Sequence, residues 1–503
     1  MLLIKVLLNS CKSLSIIFGI ILTIIGLLLG FYVFPLVIDQ TIDESVMLIN
    51  GSDAYKRWET LPIPLQFKVY FFNVTNPDKI QLGAKPEVNE VGPYIYDQFR
   101  HKYDIIEYNG SFSYYQNQIF KFNEEASKPN KEDDVITVVH LPLMMVSTIA
   151  ENRMPVFVNK VIPTLFYEPK NVFIETTPKE FLFDGIHIAC NKKNEAGQGI
   201  LKLVCKEIKK FAPIQLEELS DGRFKFSLLS YKNNTNDGHY NISNGVKNID
   251  SLGEILSWND ASTLNIWKFN SSCNNIYGSD TTIFPPHQSP KSKIKVFQSD
   301  ICRSIDLHYK SEIIYHDISG LRYAVENDML SSSVNLSSNA CFCLNKTKGI
   351  TGKDGCLLDG AMELWSCQNV PAILTFPHFY LANEEYKNTI DGLTPNESLH
   401  LTFVDLEPLQ KSGIVLRGSK RVQFNIFYRI INGIDITKNL TNSLMPIVWI
   451  DEGVELNDEN IILIKDSLFY PIKITKVVYL TVIALGLTIC AVGLVWCKIF
   501  RCK

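Results

Sequence analysis

Two charge-free stretches, one near each end of the chain, constrain its fold more than anything between them. Leu14 to Ile38 holds 25 residues without a charge, and Val477 to Cys497 holds 21. As helices these reach about 37 Å and about 32 Å, enough to cross a bilayer with some tilt. The first run is longer than the roughly 7–15-residue core of a signal peptide, so it reads as a retained anchor. The layout is a hairpin of two membrane helices holding one large domain. Its segments are a tail 1–13, a span 14–38, a domain 39–476, a span 477–497 and a tail 498–503.

Flanking charge orients the hairpin. Lys5 and Lys12 precede the first span, and Asp39, Asp43 and Glu44 follow it. Lys498, Arg501 and Lys503 follow the second. Positive outer flanks place both termini in the cytosol and the domain outside the cell. Lys473 and Lys476, on the inner flank, work against this. The glycosylation acceptors favour it. Sequons begin at Asn50, Asn73, Asn109, Asn233, Asn241, Asn270, Asn335, Asn345, Asn396 and Asn439, all between the spans. Such acceptors belong to the non-cytosolic side.

Eight cysteines also lie between the spans: Cys190, Cys205, Cys273, Cys302, Cys341, Cys343, Cys356 and Cys367. An even count in an oxidising compartment predicts four disulfides rather than a zinc site on Cys341 and Cys343. Spacing alone leaves on the order of 100 connectivities open. Cys11, Cys497 and Cys502 sit at the cytosolic edge, where S-palmitoylation is expected. Cys490, within the second span, reads as packing.

A net charge of −4 without a basic stripe excludes a nucleic-acid partner. No linker rich in Gly, Ser or Pro divides the region between the anchors, so one large domain is expected. Gln66 to Val74, Phe112 to Phe122 and Asp134 to His140 read as strands, with a turn at Gly92-Pro93. Leu143 to Phe166 has apolar residues at helical spacing, and Phe173 to Phe183 reads as a further helix from Thr176-Thr177-Pro178. Ile200 to Phe211 is also helical in pattern. Strands return at Phe224 to Phe226, Tyr309 to Tyr315, Thr402 to Leu406, Arg421 to Ile431 and Met445 to Ile450. Asp458 to Leu468 reads as a helix returning to the membrane. Most strands alternate apolar and polar residues, as antiparallel sheets do.

No hydrolase elbow, P-loop, H-E-x-x-H or dinucleotide fingerprint is present, and no enzyme or cofactor is expected. His378 reads as structural.

Several motifs resemble those of the class B scavenger receptors. They are Gly30-Phe31-Tyr32-Val33-Phe34-Pro35, Phe72-Asn73-Val74-Thr75-Asn76-Pro77 and Glu90-Val91-Gly92-Pro93-Tyr94. Phe297-Gln298-Ser299-Asp300-Ile301-Cys302-Arg303-Ser304, Cys341-Phe342-Cys343, Pro377-His378-Phe379-Tyr380 and Asp391-Gly392-Leu393-Thr394-Pro395-Asn396-Glu397 add to them. Phe67-Lys68-Val69-Tyr70, Gly83-Ala84-Lys85-Pro86-Glu87-Val88 and Phe181-Leu182-Phe183-Asp184-Gly185 are closest to the insect sensory neuron membrane protein branch.

The resemblance implies a mixed α+β membrane protein. Two terminal transmembrane helices would flank a large antiparallel β-barrel ectodomain with a helical cap at 141–211 and an internal hydrophobic tunnel. It implies disulfides Cys273–Cys341, Cys302–Cys367 and Cys343–Cys356, leaving Cys190–Cys205. It implies lipophilic ligands, namely pheromones and fatty-acid-derived odorants. Membrane lipid, an odorant receptor complex and an odorant-binding protein are the implied partners. On the cap, Phe157, Val161, Leu165, Phe166 and Phe173 are the candidate apolar contacts, with Lys160 and Lys170 for a head group. The competing expectations are general uptake of sterols, carotenoids or fatty acids, and a two-span ion channel subunit. The second span opposes the channel, because beyond small and apolar residues it offers only Tyr479, Thr481 and Thr488.

Overall fold

A computed structural model describes residues 2–191, 198–407 and 412–501. Cys502 and Lys503, and the side chains of Lys5, Cys11, Lys12, Cys497, Lys498 and Arg501, lie outside the described residues. The N-terminal helix Leu2–Leu28 continues through a wider turn at Leu29–Val33 into Phe34–Val46. The C-terminal helix mirrors it, with Asp458–Ile464, a wider turn at Lys465–Phe469 and then Tyr470–Arg501. Leu14–Val46 and Asp458–Trp496 are long and apolar enough to cross a membrane.

The two helices lie antiparallel, and glycine sets how closely. A Cβ at Gly19 would stand 2.6 Å from Cys490 Sγ and 2.7 Å from the Gly486 carbonyl oxygen. One at Gly26 would stand 2.6 Å from Ile483 Cγ1, and one at Gly30 would strike the Tyr479 ring. Small residues let helices approach where the solvent is as apolar as the side chains. Cys490, read as packing, fills this seam.

Between the spans is a thirteen-stranded antiparallel sheet. Along its main path the strands run Ile255–Trp258, Thr235–Ser243, Ser111–Phe122, Val88–Tyr108, Leu65–Val74 and Ser443–Glu455. Val415–Tyr428, Phe403–Leu406, Ile318–Ala324, Arg303–Tyr315 and Ile294–Gln298 follow. The segment at Gly278 and Ser279 draws the two edge strands together. Ile255 N donates to Gly278 O (2.9 Å), Ser279 N to Lys295 O (2.9 Å) and Phe297 N to Ser279 O (2.9 Å). A Cβ on Gly278 would strike the Lys295–Val296 peptide, 2.5 Å from the Val296 nitrogen. The sheet is thereby almost closed into a barrel, which hides its edges.

The expected turn at Gly92-Pro93 is instead a bulge within one long strand. Val69 pairs with Tyr94 but Phe71 with Val91, so two residues oppose Tyr70 alone. Gly92 takes φ +144°, and a Cβ there would sit 2.8 Å from Val69 O. The extra residue bends the strand without ending it.

The cap carries helices Leu141–Ala150, Pro155–Leu165 and Gln198–Lys210. His140 Nδ1 accepts from Leu143 N (3.4 Å) at the start of the first, and proline opens the second. Phe173 to Phe183 is not one helix. Phe173–Thr176 is a strand paired with Ile136–Val139, and helical turns begin only at Pro178. An aromatic and β-branched segment finds a partner strand there, which overrides its helical spacing. Disulfides join Cys190–Cys205, Cys273–Cys341, Cys302–Cys367 and Cys343–Cys356.

Candidate functional site: stacked cavities and a charged waist

Inward positions of the long strands wall the largest cavity, of about 670 Å³. Val422 and Phe424 line it from one strand and Ile305 and Leu307 from another, and the short strand Phe403–Leu406 adds Val404. Residues of both span helices also line it. Ser45 and Val46 border it from the first, and Leu463, Ile464, Ser467 and Leu468 from the second. The wall of the cavity therefore includes the domain-proximal ends of both apolar helices.

A second cavity, of about 100 Å³, lies toward the cap and is lined by Phe67, Phe120, Leu141, Met145 and Phe226. It shares Asp300, Lys420, Val422, Phe424 and Glu452 with the first. A third, of about 50 Å³, lies under the cap helices and shares Met145 and Phe226 with the second. Three compartments thus follow one another from the spans to the cap.

The wall between the first two is charged. Gln98, Arg100 and Lys102 alternate along one strand with the outward Phe99 and His101, so polar groups take its inward positions. The Arg100 guanidinium donates to Glu452, and Lys420 donates to the other Glu452 oxygen. Lys232 pairs with Asp300, which lies 4.0 Å from Lys420. Lys420 also donates to Gln298 (3.3 Å). Burial alone would raise the Glu452 carboxyl, but Arg100 and Lys420 outweigh it and hold it far below the ordinary range. Burial opposes ionisation of Asp300 too, and Lys232 and Lys420 keep it charged.

Beside this network, burial pushes Lys102 down to about 8, against the nearby Asp280 (3.8 Å). Tyr114 (2.6 Å) and Thr282 (2.6 Å) also donate to Asp280. Burial raises the Asp237 carboxyl, which accepts from Tyr240 (2.9 Å) and Ser299 (3.3 Å). Among the described residues, buried Arg100 Nε, Gln98 Oε1 and Gln215 Oε1 have no hydrogen-bond partner.

The cap residues singled out by sequence take two roles. Phe157, Lys160 and Lys170 face solvent. Val161, Leu165, Phe166 and Phe173 are core: Leu165 O accepts from Ala189 N (2.9 Å), Phe166 meets the His140 ring edge-on at 5.1 Å, and Phe173 stacks on Tyr428 at 5.7 Å. None of the seven lines these three cavities; their neighbours Arg153, Met154 and Val158 line the smallest.

His378 lies apart from the cavities. Its Nε2 is 2.6 Å from Glu90, its Nδ1 accepts from Thr394 N (3.0 Å), and its ring stacks on His400 at 4.6 Å. Trp449 donates to the same Glu90 oxygen (2.6 Å). Every polar atom of the imidazole is used to hold loops to the barrel, a structural role.

Sequence reasoning missed Arg100, Lys232, Asp300, Lys420 and Glu452. The available signal was Gln98-Phe99-Arg100-His101-Lys102, a strand segment whose polar phase falls on the core side.

Comparison with known proteins bears on this architecture. A family model described as the CD36 family matches residues 17–497. "Sensory neuron membrane protein 2" of Anopheles gambiae is 36% identical, covering 93% of this chain and 90% of its own. The protein of the same name in Drosophila melanogaster is 33% identical, covering 95% and 96%. "Sensory neuron membrane protein 1" of Pediculus humanus subsp. corporis is 34% identical, covering 97% and 92%.

Proposed function

Because the chain belongs to the CD36 family, we propose that it is a two-pass plasma-membrane receptor or co-receptor for lipophilic ligands. Both termini face the cytosol and the barrel faces outward. The ligands are pheromones or fatty-acid-derived odorants, and the protein passes them to the bilayer or to an odorant receptor. The names of the relatives support the sensory setting.

The observation that carries this reading is that residues of both span helices line the 670 Å³ cavity. A chain of some fourteen methylenes resists water by roughly 11 kcal/mol, at about 0.8 per methylene. A compartment walled in part by the spans lets such a chain move between protein and bilayer without that cost. The solvent-facing Phe157, Lys160 and Lys170 are proposed as first contacts at the distal end.

The test is transfer of a fluorescent long-chain fatty acid into liposomes by the full chain. Ser467→Trp, at an exposed position lining the cavity, should slow transfer roughly tenfold while leaving the fold intact. An unchanged rate would contradict delivery through this cavity.

A further inference from the structure

The outer face of the barrel carries a polar hollow of about 170 Å³, and Lys68, Arg322, Arg417 and Arg421 line it. Strand alternation sends these side chains outward. Phe67 and Val69, on either side of Lys68, are buried, and Lys420 and Val422, on either side of Arg421, line the cavities inside. The floor is Gly453, opposite Gln66 on one neighbouring strand and Ser419 on the other, so no side chain fills the middle. Three guanidiniums gather round one ring. Arg322 Cζ lies 3.9 Å from the Phe403 centroid, Arg417 Cζ 5.4 Å and Arg421 Cζ 5.5 Å. Arg322 holds the fully buried Asp405 with two nitrogens (both 2.7 Å), and Arg417 reaches one oxygen of the same carboxylate (3.1 and 3.0 Å). Arg421 donates to Asp451 (3.1 Å) and to the carbonyls of Ser398 (3.2 Å) and Leu401 (3.1 Å). Lys68 is the register neighbour of Asp451 but, among the described residues, forms no ion pair. Glu455, the remaining carboxylate on the wall, is exposed and stands opposite Arg417. Four cations thus face three carboxylates, and one of the three is shared by two arginines. Among the described residues, Arg322 and Arg417 each keep one terminal nitrogen outside any hydrogen bond, and neither nitrogen is buried.

We propose that Arg322, Arg417, Arg421 and Lys68 form a binding site for a phosphate-type oxyanion on the outside of the barrel. It is independent of what the barrel carries inside. Guanidinium forks recognise such oxyanions through paired N–H donors. A bound oxyanion balances the odd positive charge and relieves the repulsion among three like charges gathered at one ring. Asp405 fixes two of the forks before any ligand arrives, and this preorganisation lowers the cost of binding. The strand Ser443–Glu455 ends at this hollow, and the helix Asp458–Ile464 of the second span begins shortly after it. The hollow therefore lies at the end of the barrel from which that span leaves. The oxyanion comes either from a phospholipid head group of the facing leaflet or from a soluble phosphate.

Equilibrium dialysis of radiolabelled inorganic phosphate against the full chain tests this. The chain is held in dodecyl maltoside, a detergent without phosphate, and sodium chloride keeps the ionic strength constant. Saturable binding is expected. Arg417→Gln leaves Asp405 paired with both arms of Arg322, and it should weaken binding roughly tenfold, as loss of a charge-assisted hydrogen bond implies. Lys68→Gln breaks no ion pair and keeps the test open should the first variant fail to fold. It should weaken binding roughly threefold, as loss of one solvent-screened charge implies. The same dialysis in nanodiscs containing phosphatidic acid assigns the source. Weaker phosphate binding there means that a lipid head group holds the site, and equal binding means that a soluble phosphate does. No saturable binding in detergent, or an affinity untouched by both variants, overturns the proposal.

Discussion

Arg100 and Glu452 meet inside the barrel across the strand Leu65–Val74, which separates their own two strands. Both side chains are more than nine-tenths buried. Removing one partner strands the other charge in a medium that cannot solvate it. Arg100→Gln should therefore cost roughly 3–5 kcal/mol of stability, whereas replacing both by Gln should restore most of it. Thermal unfolding midpoints of the single and double variants in detergent check this. Equal losses in both would mean the pair is not coupled.

Acid should weaken the fold in two stages. Burial lowers the imidazoles of His140 and His400 from 6.5 to about 4. Between those values the unfolded chain binds more protons than the folded one, so stability falls as pH drops through that window. Below it, Glu452 adds to the loss. Its folded carboxyl is held low, so its contribution is complete above the ordinary carboxylate range and disappears as pH falls through the depressed value. His140→Asn keeps an N-cap acceptor and removes one titration, so unfolding midpoints should vary less steeply between pH 6.5 and 4.

The seam between the spans admits no added bulk. A Cβ on Gly486 would lie 2.7 Å from Thr23 N and 2.9 Å from Gly19 O. Cys490 Sγ lies 3.5 Å from the Ile16 carbonyl, so Ile16→Cys should form a disulfide with Cys490 when Cys11, Cys497 and Cys502 are replaced by Ser. Adding Gly486→Leu should abolish that crosslink on a non-reducing gel. Its persistence would mean the helices are held by the domain alone.

Glycan occupancy should follow exposure. Asn50, Asn109, Asn270, Asn335, Asn345, Asn396 and Asn439 are exposed, whereas Asn73, Asn233 and Asn241 are half-buried. Asn73 lies within a strand, and its Oδ1 accepts from Thr137 N (2.7 Å). Peptide mass spectrometry of protein from insect cells should find glycans at exposed sites and none at Asn73. Absence of glycan at all ten would contradict an extracellular barrel.

The spans were legible because a charge-free run of that length has few other uses, and most strands because period-two alternation survives burial on one face. Three features were hidden for physical reasons. Gly92-Pro93 has turn composition, yet one extra residue in a long strand needs the same backbone freedom. Phe173–Thr176 gained a partner strand that no local signal announced. The waist was hidden because polar residues at inward positions look like an ordinary exposed face until the opposite charges arrive from remote strands, Lys420 and Glu452 among them. On the cap, Leu165 and Phe166 are buried, and helical spacing alone does not separate a buried packing residue from a ligand contact. The disulfide pairs likewise came from resemblance and not from spacing.

The cavity at the spans is the centre of this account, and photolabelling addresses it directly. A sixteen-carbon fatty acid carrying a mid-chain diazirine, photolysed on the full chain in nanodiscs, should mark Ile305, Val404 and Ile464 on the cavity wall. Label confined to bilayer-facing positions such as Leu480 and Leu487, with none inside the barrel, would contradict it.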